Sequence, residues 1–160
     1  MKPASKILLS AALFLLLVIA AVVVLHQPAV DDRVQIGNQL EAARAAGERH
    51  DVGGIMRIVS EKYHDPNVPS PIQLRFLLNK VQGNEAVIVT QSLPVITVNG
   101  DTATSTSRLR VVAATGSSVV YDHDVTIQWV REDSTRLWVI PTKVWRAVSA
   151  DYGSFSLLGD

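Results

Sequence analysis

The 160 residues include no cysteine. A disulfide framework, a thiolate zinc site, a cysteine nucleophile and a lipid-modified N-terminal cysteine are therefore all excluded. Aromatic residues are scarce at 6%, and neither sign of charge prevails, with 15 basic and 15 acidic side chains. Lys2 and Lys6 sit at the extreme N-terminus, so the remainder carries 13 basic against 15 acidic residues. Nucleic acid is excluded as a partner, because binding it needs a clustered basic face. No glycine-rich loop follows a strand to cradle phosphate, and no Gly-x-Ser-x-Gly elbow presents a serine nucleophile. The four histidines, His26, His50, His64 and His123, are far apart, and no two stand at ligand spacing on one element. A metal site is not expected, and no cofactor is implied.

One long apolar run is present, from Ile7 to Leu25, with Ser10 as its only polar side chain. As a helix it is about 28 Å long, close to the hydrocarbon thickness of a bilayer. Lys2 and Lys6 precede it and Asp31 and Asp32 follow it. The positive-inside rule then places residues 1–6 in the cytoplasm, spans 7–25 through the cytoplasmic membrane as a single pass, and leaves the rest on the extracytoplasmic side. A cleaved signal peptide is the rival reading. It has a shorter apolar core and a small-residue cleavage site. Val18-Ile19-Ala20 offers such a site but is followed by more apolar residues, and Gln27-Pro28-Ala29 has a large polar residue where a small one belongs.

Residues 26–32 read as a linker, with Pro28 discouraging helix continuation. A domain over 33–148 follows, long enough for one core, and 149–160 reads as a flexible tail. Three helices open the domain. The first is capped by Asp31 or Asp32, repeats Ile36, Leu40 and Ala43 at helical spacing, and closes at Gly47. The second is capped by Asp51 and carries Val52, Ile55, Met56, Val59 and Tyr63 along one stripe, despite Gly53-Gly54. The third starts at Ser70, with Pro71 as its first residue and Gln73 at the capping-box position. Leu74, Leu77, Leu78 and Val81 form its apolar face, and Gly83 ends it.

From Val87 the pattern changes to strands: 87–98, 102–113, 119–131 and 136–146. Asn99-Gly100, Thr115-Gly116-Ser117 and Asp133-Ser134 supply the turns. Three helices before a four-stranded antiparallel meander make an α+β domain.

This order of elements resembles the NTF2-like superfamily, which includes the SnoaL-like and ketosteroid isomerase-like proteins. The residues that carry the resemblance are Asp51-Val52-Gly53-Gly54-Ile55-Met56 running into Tyr63-His64-Asp65-Pro66, the strand pair Ile96 to Thr104, and the segments Val125 to Trp129 and Leu137 to Ile140. The resemblance implies a cone in which three helices cover the concave side of the curved sheet and enclose a pocket. It also implies that enzymes of the group place an Asp, His or Tyr there, while other members are binding or assembly domains. An apolar anchor ahead of such a domain also resembles the architecture of Mce-associated membrane proteins.

Strand parity nominates site residues. Val119, Tyr121, His123, Val125, Ile127 and Trp129 share one face, which should look toward the helices. His123 there has the pKa range of a general base or a ligand-orienting group, with Tyr121 or Tyr63 as hydrogen-bond donor. A buried histidine satisfied by a neighbour is the competing reading. Ser105 and Ser107 on the preceding strand face the same way, as ligand contacts or as tight packing positions. Tyr63, His64 and Asp65 edge the pocket or simply end a helix. Thr104, Thr106, Arg108 and Arg110 should form ordinary cross-strand pairs with Asp122 and Asp124 on the outer face.

Trp129 and Trp138 read as core. Trp145, with Leu137, Val139 and Pro141, would make the outer face of the last strand apolar, so Val139 and Trp145 become candidates for a homodimer or membrane-complex interface. A bulge at Pro141 would reverse that parity.

The sequence therefore points to a membrane-tethered domain without enzymatic activity, binding a partner protein or a small apolar ligand. The alternatives are a small isomerase, dehydratase or cyclase working through His123, and an accessory subunit of a membrane transport complex.

Overall fold

The computed structural model describes residues 14–16, 30–81, 86–115, 119–136 and 140–153. The chain divides into two compact units, Met1–Asp31 and Asp32–Asp160. Within the first, 14–16 are helical. No helix among the described residues is long and apolar enough to cross a membrane, and most of the expected span 7–25 lies outside them. The second unit is α+β: helices α1 (Asp32–Glu48), α2 (Val52–Met56) and α3 (Pro71–Val81), then an antiparallel sheet of five strands, β1 (Val87–Gln91), β2 (Val95–Asn99), β3 (Thr102–Ala113), β4 (Val119–Arg136) and β5 (Ile140–Asp151).

The first expected strand is two. β1 pairs with β3 from Gln91↔Leu109 to Val87↔Ala113, and β2 pairs with the same edge from Val95↔Thr106 to Asn99↔Thr102. Ser92-Leu93-Pro94 therefore stands opposite Ser107-Arg108, one residue too many for the ladder. Proline has no N–H to give a ladder. Ser92 instead bonds Arg108 through its backbone N–H and its hydroxyl. The extra residue reverses parity: Val87, Val89 and Gln91 point inward on β1, but Ile96 and Val98 do so on β2.

The β2–β3 turn also sits one residue later than expected. Asn99 pairs with Thr102, so Gly100-Asp101 form the loop, and Gly100 takes φ 62° while Asp101 does not go positive, as in a II′ turn. Two further irregularities, at Val111/Val112 and Gln128/Trp129, bend the long strands.

β4 and β5 pair from Thr126↔Asp151 to Arg136↔Ile140. Asp133 and Ser134 are thus inside the ladder and not its turn; residues 137–139, between the two strands, lie outside the described residues. The last strand also runs past the expected domain end at 148, and Tyr152 and Gly153 beyond it are ordered against the sheet.

The α1 terminus needs no glycine at its end. His50 adopts φ 56°, with its N–H on the Gly47 carbonyl and the Asp51 N–H on that of Ala46, a Schellman pattern. Asp51 then caps α2 by accepting the Gly54 N–H at 2.8 Å. A Cβ on Gly54 would stand 2.6 Å from the Asp51 carboxylate and 2.7 Å from the Ala46 Cβ, so that glycine is required by space. The second helix is far shorter than its apolar stripe suggested. From Ile58 the chain joins the edge of β5: Ala147 N–H bonds Ile58 O, Ser60 N–H bonds Ala147 O, and His64 N–H bonds Val148 O. Val59 therefore forms an isolated bridge to Ala147, and Tyr63 closes a turn onto the Ser60 carbonyl. Edge pairing satisfies backbone groups that a longer helix would have left exposed on β5.

α1 lies over β1 and β2. Arg44, ion-paired with Glu41 and Glu48, donates to the Val89 carbonyl at 3.1 Å, and Glu48 accepts the Val89 N–H at 3.3 Å. That pair occupies backbone groups of the sheet's other edge. The core gathers Ile36, Leu40, Ala103, Trp129, Trp145 and Ala147, with Ile58, Ile96, Val98 and Ile127 packed on it.

Candidate functional site: the uncovered end of the concave face

The inward face of the sheet changes character along its length. At the core end, Ala103, Ser105 and Trp129 are buried. Trp129 Nε1 donates to Ser105 Oγ at 2.8 Å, so Ser105 is occupied by a core tryptophan and is a packing position. Ser107, next along β3, accepts from Gln91 Nε2 at 2.8 Å. Beyond it, Leu109 and Val125 are half-buried and His123 is exposed. His123 pairs with Leu109 in the ladder and keeps the inward parity of Tyr121 and Trp129. The expectation that it would be shielded from solvent by the helices does not hold. The sheet places it inward, and the helices stop short of it.

Two walls flank this end. On the β1 side stands the C-terminal half of α1, where Arg44 and Glu48 hold the backbone of Val89. On the β5 side stands a tyrosine cluster. Tyr63 Oη donates to Asp65 Oδ2 at 2.5 Å, and Asp65 Oδ1 accepts the N–H groups of Asn67 and Val68, each at 2.7 Å. Asp65 is only 1% exposed and Tyr63 is buried with it. Burial, and then the adjacent Asp65 carboxylate, push the Tyr63 hydroxyl far above its ordinary range. Tyr152 lies beside them. Burial and then the charge of Asp65 raise its hydroxyl too. Tyr121 ties the wall to the floor: its hydroxyl donates to the Tyr152 carbonyl at 2.7 Å, and its ring lies 5.1 Å from that of His123. Burial raises Tyr121 as well.

The sequence-nominated set therefore divides. Tyr121 and His123 meet, and Tyr152 links them to Tyr63. Ser107 borders the group, while Ser105 is committed to the core. His64 is turned out to solvent, its Nδ1 3.2 Å from the Pro69 carbonyl. Sequence reasoning missed Gln91 and Tyr152. Tyr152 fell in the expected tail, and only its position one residue beyond an alternating strand could have flagged it.

Trp145 is a correction. It is 1% exposed, within the core cluster, and donates Nε1 to Asp32 Oδ1 at 3.0 Å beneath the Arg131 guanidinium. Arg131 also bonds Asp32 through Nη2. Trp145 shares the inward face with Ala147 and Trp129, opposite to the parity expected for it, and Val139 lies outside the described residues. The outer face is polar instead. Thr104 donates to Gln128 at 2.9 Å, Thr106 and Thr126 hydroxyls meet at 3.0 Å, and Arg108 binds Asp122 at 2.7 Å. Arg108 holds the Asp122 carboxyl below its usual range. No cluster of metal-ligating side chains occurs among the described residues.

No protein-family model matches the sequence, and no curated protein matches it either. Solved structures do match the fold. A Mycobacterium tuberculosis protein of unknown function superposes with a TM-score of 0.60 at 15% identity, covering 73% of this chain and 72% of that one. An NTF2-like protein of unknown function from Pseudomonas putida gives 0.61 at 11% identity, covering 74% and 82%. A cystatin-like-fold protein of unknown function from Nostoc punctiforme gives 0.60 at 16% identity, covering 74% and 87%. At these identities the likeness establishes the fold and nothing about activity.

Proposed function

We propose that this chain is a membrane-tethered, NTF2-like-fold binding domain that takes a small, largely apolar ligand at the uncovered end of its concave face, outside the cytoplasmic membrane. The observation that supports it is His123: an inward-facing side chain that remains exposed, between half-buried Leu109 and Val125 and against Tyr121. An apolar floor with a few convergent polar groups is the general composition of a small-molecule site. The tether rests on the 7–25 run and its charged flanks. Native mass spectrometry of a fragment from Val30 to Asp160, the unit that carries its own core, tests the ligand. A retained small-molecule mass that disappears on His123→Ala supports the reading. Protein that is empty from several expression hosts counts against it. Carbonate washing tests the tether: release of the full chain from membranes would rule it out.

Catalysis is a second reading, favoured by one observation: a buried tyrosine, Tyr63, with its hydroxyl on a carboxylate, in the wall of the exposed His123 face. In that reading His123 removes a proton, and Tyr121 or Tyr63 turns its hydroxyl from the Tyr152 carbonyl or the Asp65 carboxylate to support the developing charge. A protein of the same fold from Streptomyces avermitilis has been assigned provisionally as a dehydratase. Turnover of any retained ligand, lost in His123→Ala and in Tyr63→Phe, separates catalysis from binding. The outer sheet face, polar as it is, offers hydrogen-bonding groups rather than an apolar interface to a membrane-complex partner or a second copy; co-purification from solubilised membranes tests that role.

A further inference from the structure

α3 is the helix the fold uses least. None of its described side chains is buried, and Ile72 and Phe76 are 81% and 71% exposed. Four residues apart, they lie one above the other on a single stripe, which Asn79 continues. Arg75 and Lys80 are exposed on the same helix, Pro71–Val81 contains no acidic residue, and neither cation forms an ion pair among the described residues. An amphipathic helix with aromatic and aliphatic residues outward and only cations beside them has the composition of an interfacial helix.

The tether supplies the occupant, and this inference rests on that reading. Only residues 26–31 separate the end of the apolar run from the first residue of α1. Fully extended, such a linker reaches about 20 Å, and α1 itself is about 25 Å long. A domain held that close meets the bilayer at a high effective concentration, so even a small apolar patch suffices. Two side chains are too little for a stable protein–protein interface, which needs a total buried area on the order of 1,200 Å² or more. We propose that α3 lies in the plane of the membrane surface, with Ile72 and Phe76 at the acyl boundary and Arg75 and Lys80 on lipid phosphates. The domain would then be a two-point peripheral passenger of its own anchor, held in one orientation.

Because the chain has no cysteine, single nitroxide labels can be placed on the full chain without further changes. Labels at Asn79→Cys, Leu16→Cys and Thr97→Cys would be compared in vesicles of equimolar phosphatidylcholine and phosphatidylglycerol, by collision with oxygen and with a water-soluble nickel chelate. The expected result is an oxygen-to-nickel ratio at residue 79 severalfold above that at 97, approaching that at 16. Replacing Ile72 and Phe76 with asparagine in the same labelled chain should bring residue 79 back to the value at 97 and leave 16 unchanged. A water-like ratio at 79 with a lipid-like ratio at 16 overturns the docking but spares the tether. Shielding of 79 from both reagents overturns it too, because protein and not lipid would then cover the stripe. A water-like ratio at 16 removes the tether and the docking together.

Discussion

The two ends of the concave face are built from the same strands and do opposite things. At one end Ile36 and Leu40 of α1 close over Ala103, Trp129, Trp145 and Ala147, and both indole N–H groups have acceptors, Ser105 for Trp129 and Asp32 for Trp145. At the other end the face carries Leu109, His123 and Val125, none of them buried. The first is packed with its indoles hydrogen-bonded; the second leaves a histidine exposed on the inward face. The contrast assigns stability to one end and binding to the other, and substitutions can break that assignment.

The largest loss should follow Trp129→Ala. Removing a fully buried indole leaves a cavity and an unmatched Ser105 hydroxyl, and the cost should be about 3–5 kcal/mol. Trp129→Phe keeps most of the volume but not the hydrogen bond, and should cost about 1–3 kcal/mol. Urea unfolding of the Val30–Asp160 fragment measures both. If Trp129→Ala cost under about 1 kcal/mol, the closed end would not be the core. Asp65→Ala comes next. It strands the Tyr63 hydroxyl and two backbone N–H groups around a buried site, for about 1–3 kcal/mol.

Alkaline pH separates the ends by a different route. Tyr63, Tyr121 and Tyr152 all have hydroxyls raised above the ordinary tyrosine value of 10.0, and all lie at the uncovered end. A raised folded-state pKa means that the unfolded chain loses its tyrosine protons first. The stabilisation is complete below the unfolded value of 10.0 and is lost as pH rises above it. The urea midpoint should therefore fall as pH rises above about 10, and Tyr63→Phe should flatten that fall. A midpoint unaffected by Tyr63→Phe across this window would show that the phenol is not buried as described.

Much of this division could be read from residue order, and the failures have physical causes. Inward parity of Tyr121, His123 and Trp129 follows from strict alternation within one uninterrupted stretch of β4. Trp145 was misplaced because its parity was counted from Trp138 taken as core, whereas the unbroken pairing from Trp129↔Ala147 to Arg131↔Trp145 sets it inward, and an offset of one residue inverts every side chain. The break at Ser92-Leu93-Pro94 was hidden for a related reason: both flanks are β-branched and apolar, so composition shows one strand where pairing makes two. The apolar stripe from Val52 to Tyr63 has helical spacing, but hydrogen bonds to Ala147 and Val148 decide its conformation, and those partners are distant in sequence. Exposure of His123 depends on how far α1 reaches over the sheet from β1 and β2, which no local pattern encodes.

A smaller effect, of the opposite sign, should come from His50→Gly. His50 holds φ 56° in the Schellman turn after α1, a conformation that costs a residue with a Cβ and costs glycine nothing. The gain should lie between zero and about 1 kcal/mol, because glycine also loosens the unfolded chain. A destabilisation larger than about 0.5 kcal/mol would instead point to contacts made by the imidazole.

The smallest expected change in stability is the most informative. His123 is exposed, on a face its neighbours only half cover, and its one ring contact is with Tyr121. His123→Ala should shift the unfolding free energy by no more than about 0.5 kcal/mol, the range for a surface substitution. A position that contributes so little to folding, yet is held inward by the pairing His123↔Leu109 and flanked by a tyrosine whose hydroxyl is fixed on the Tyr152 carbonyl, is a place where the structure spends order without gaining stability. If His123→Ala leaves the urea midpoint unchanged and also abolishes ligand retention, the two ends are separable, and the uncovered end is a binding surface in its own right. If the same substitution costs as much as Asp65→Ala, His123 is part of the packing, and the contrast between the two ends is one of degree.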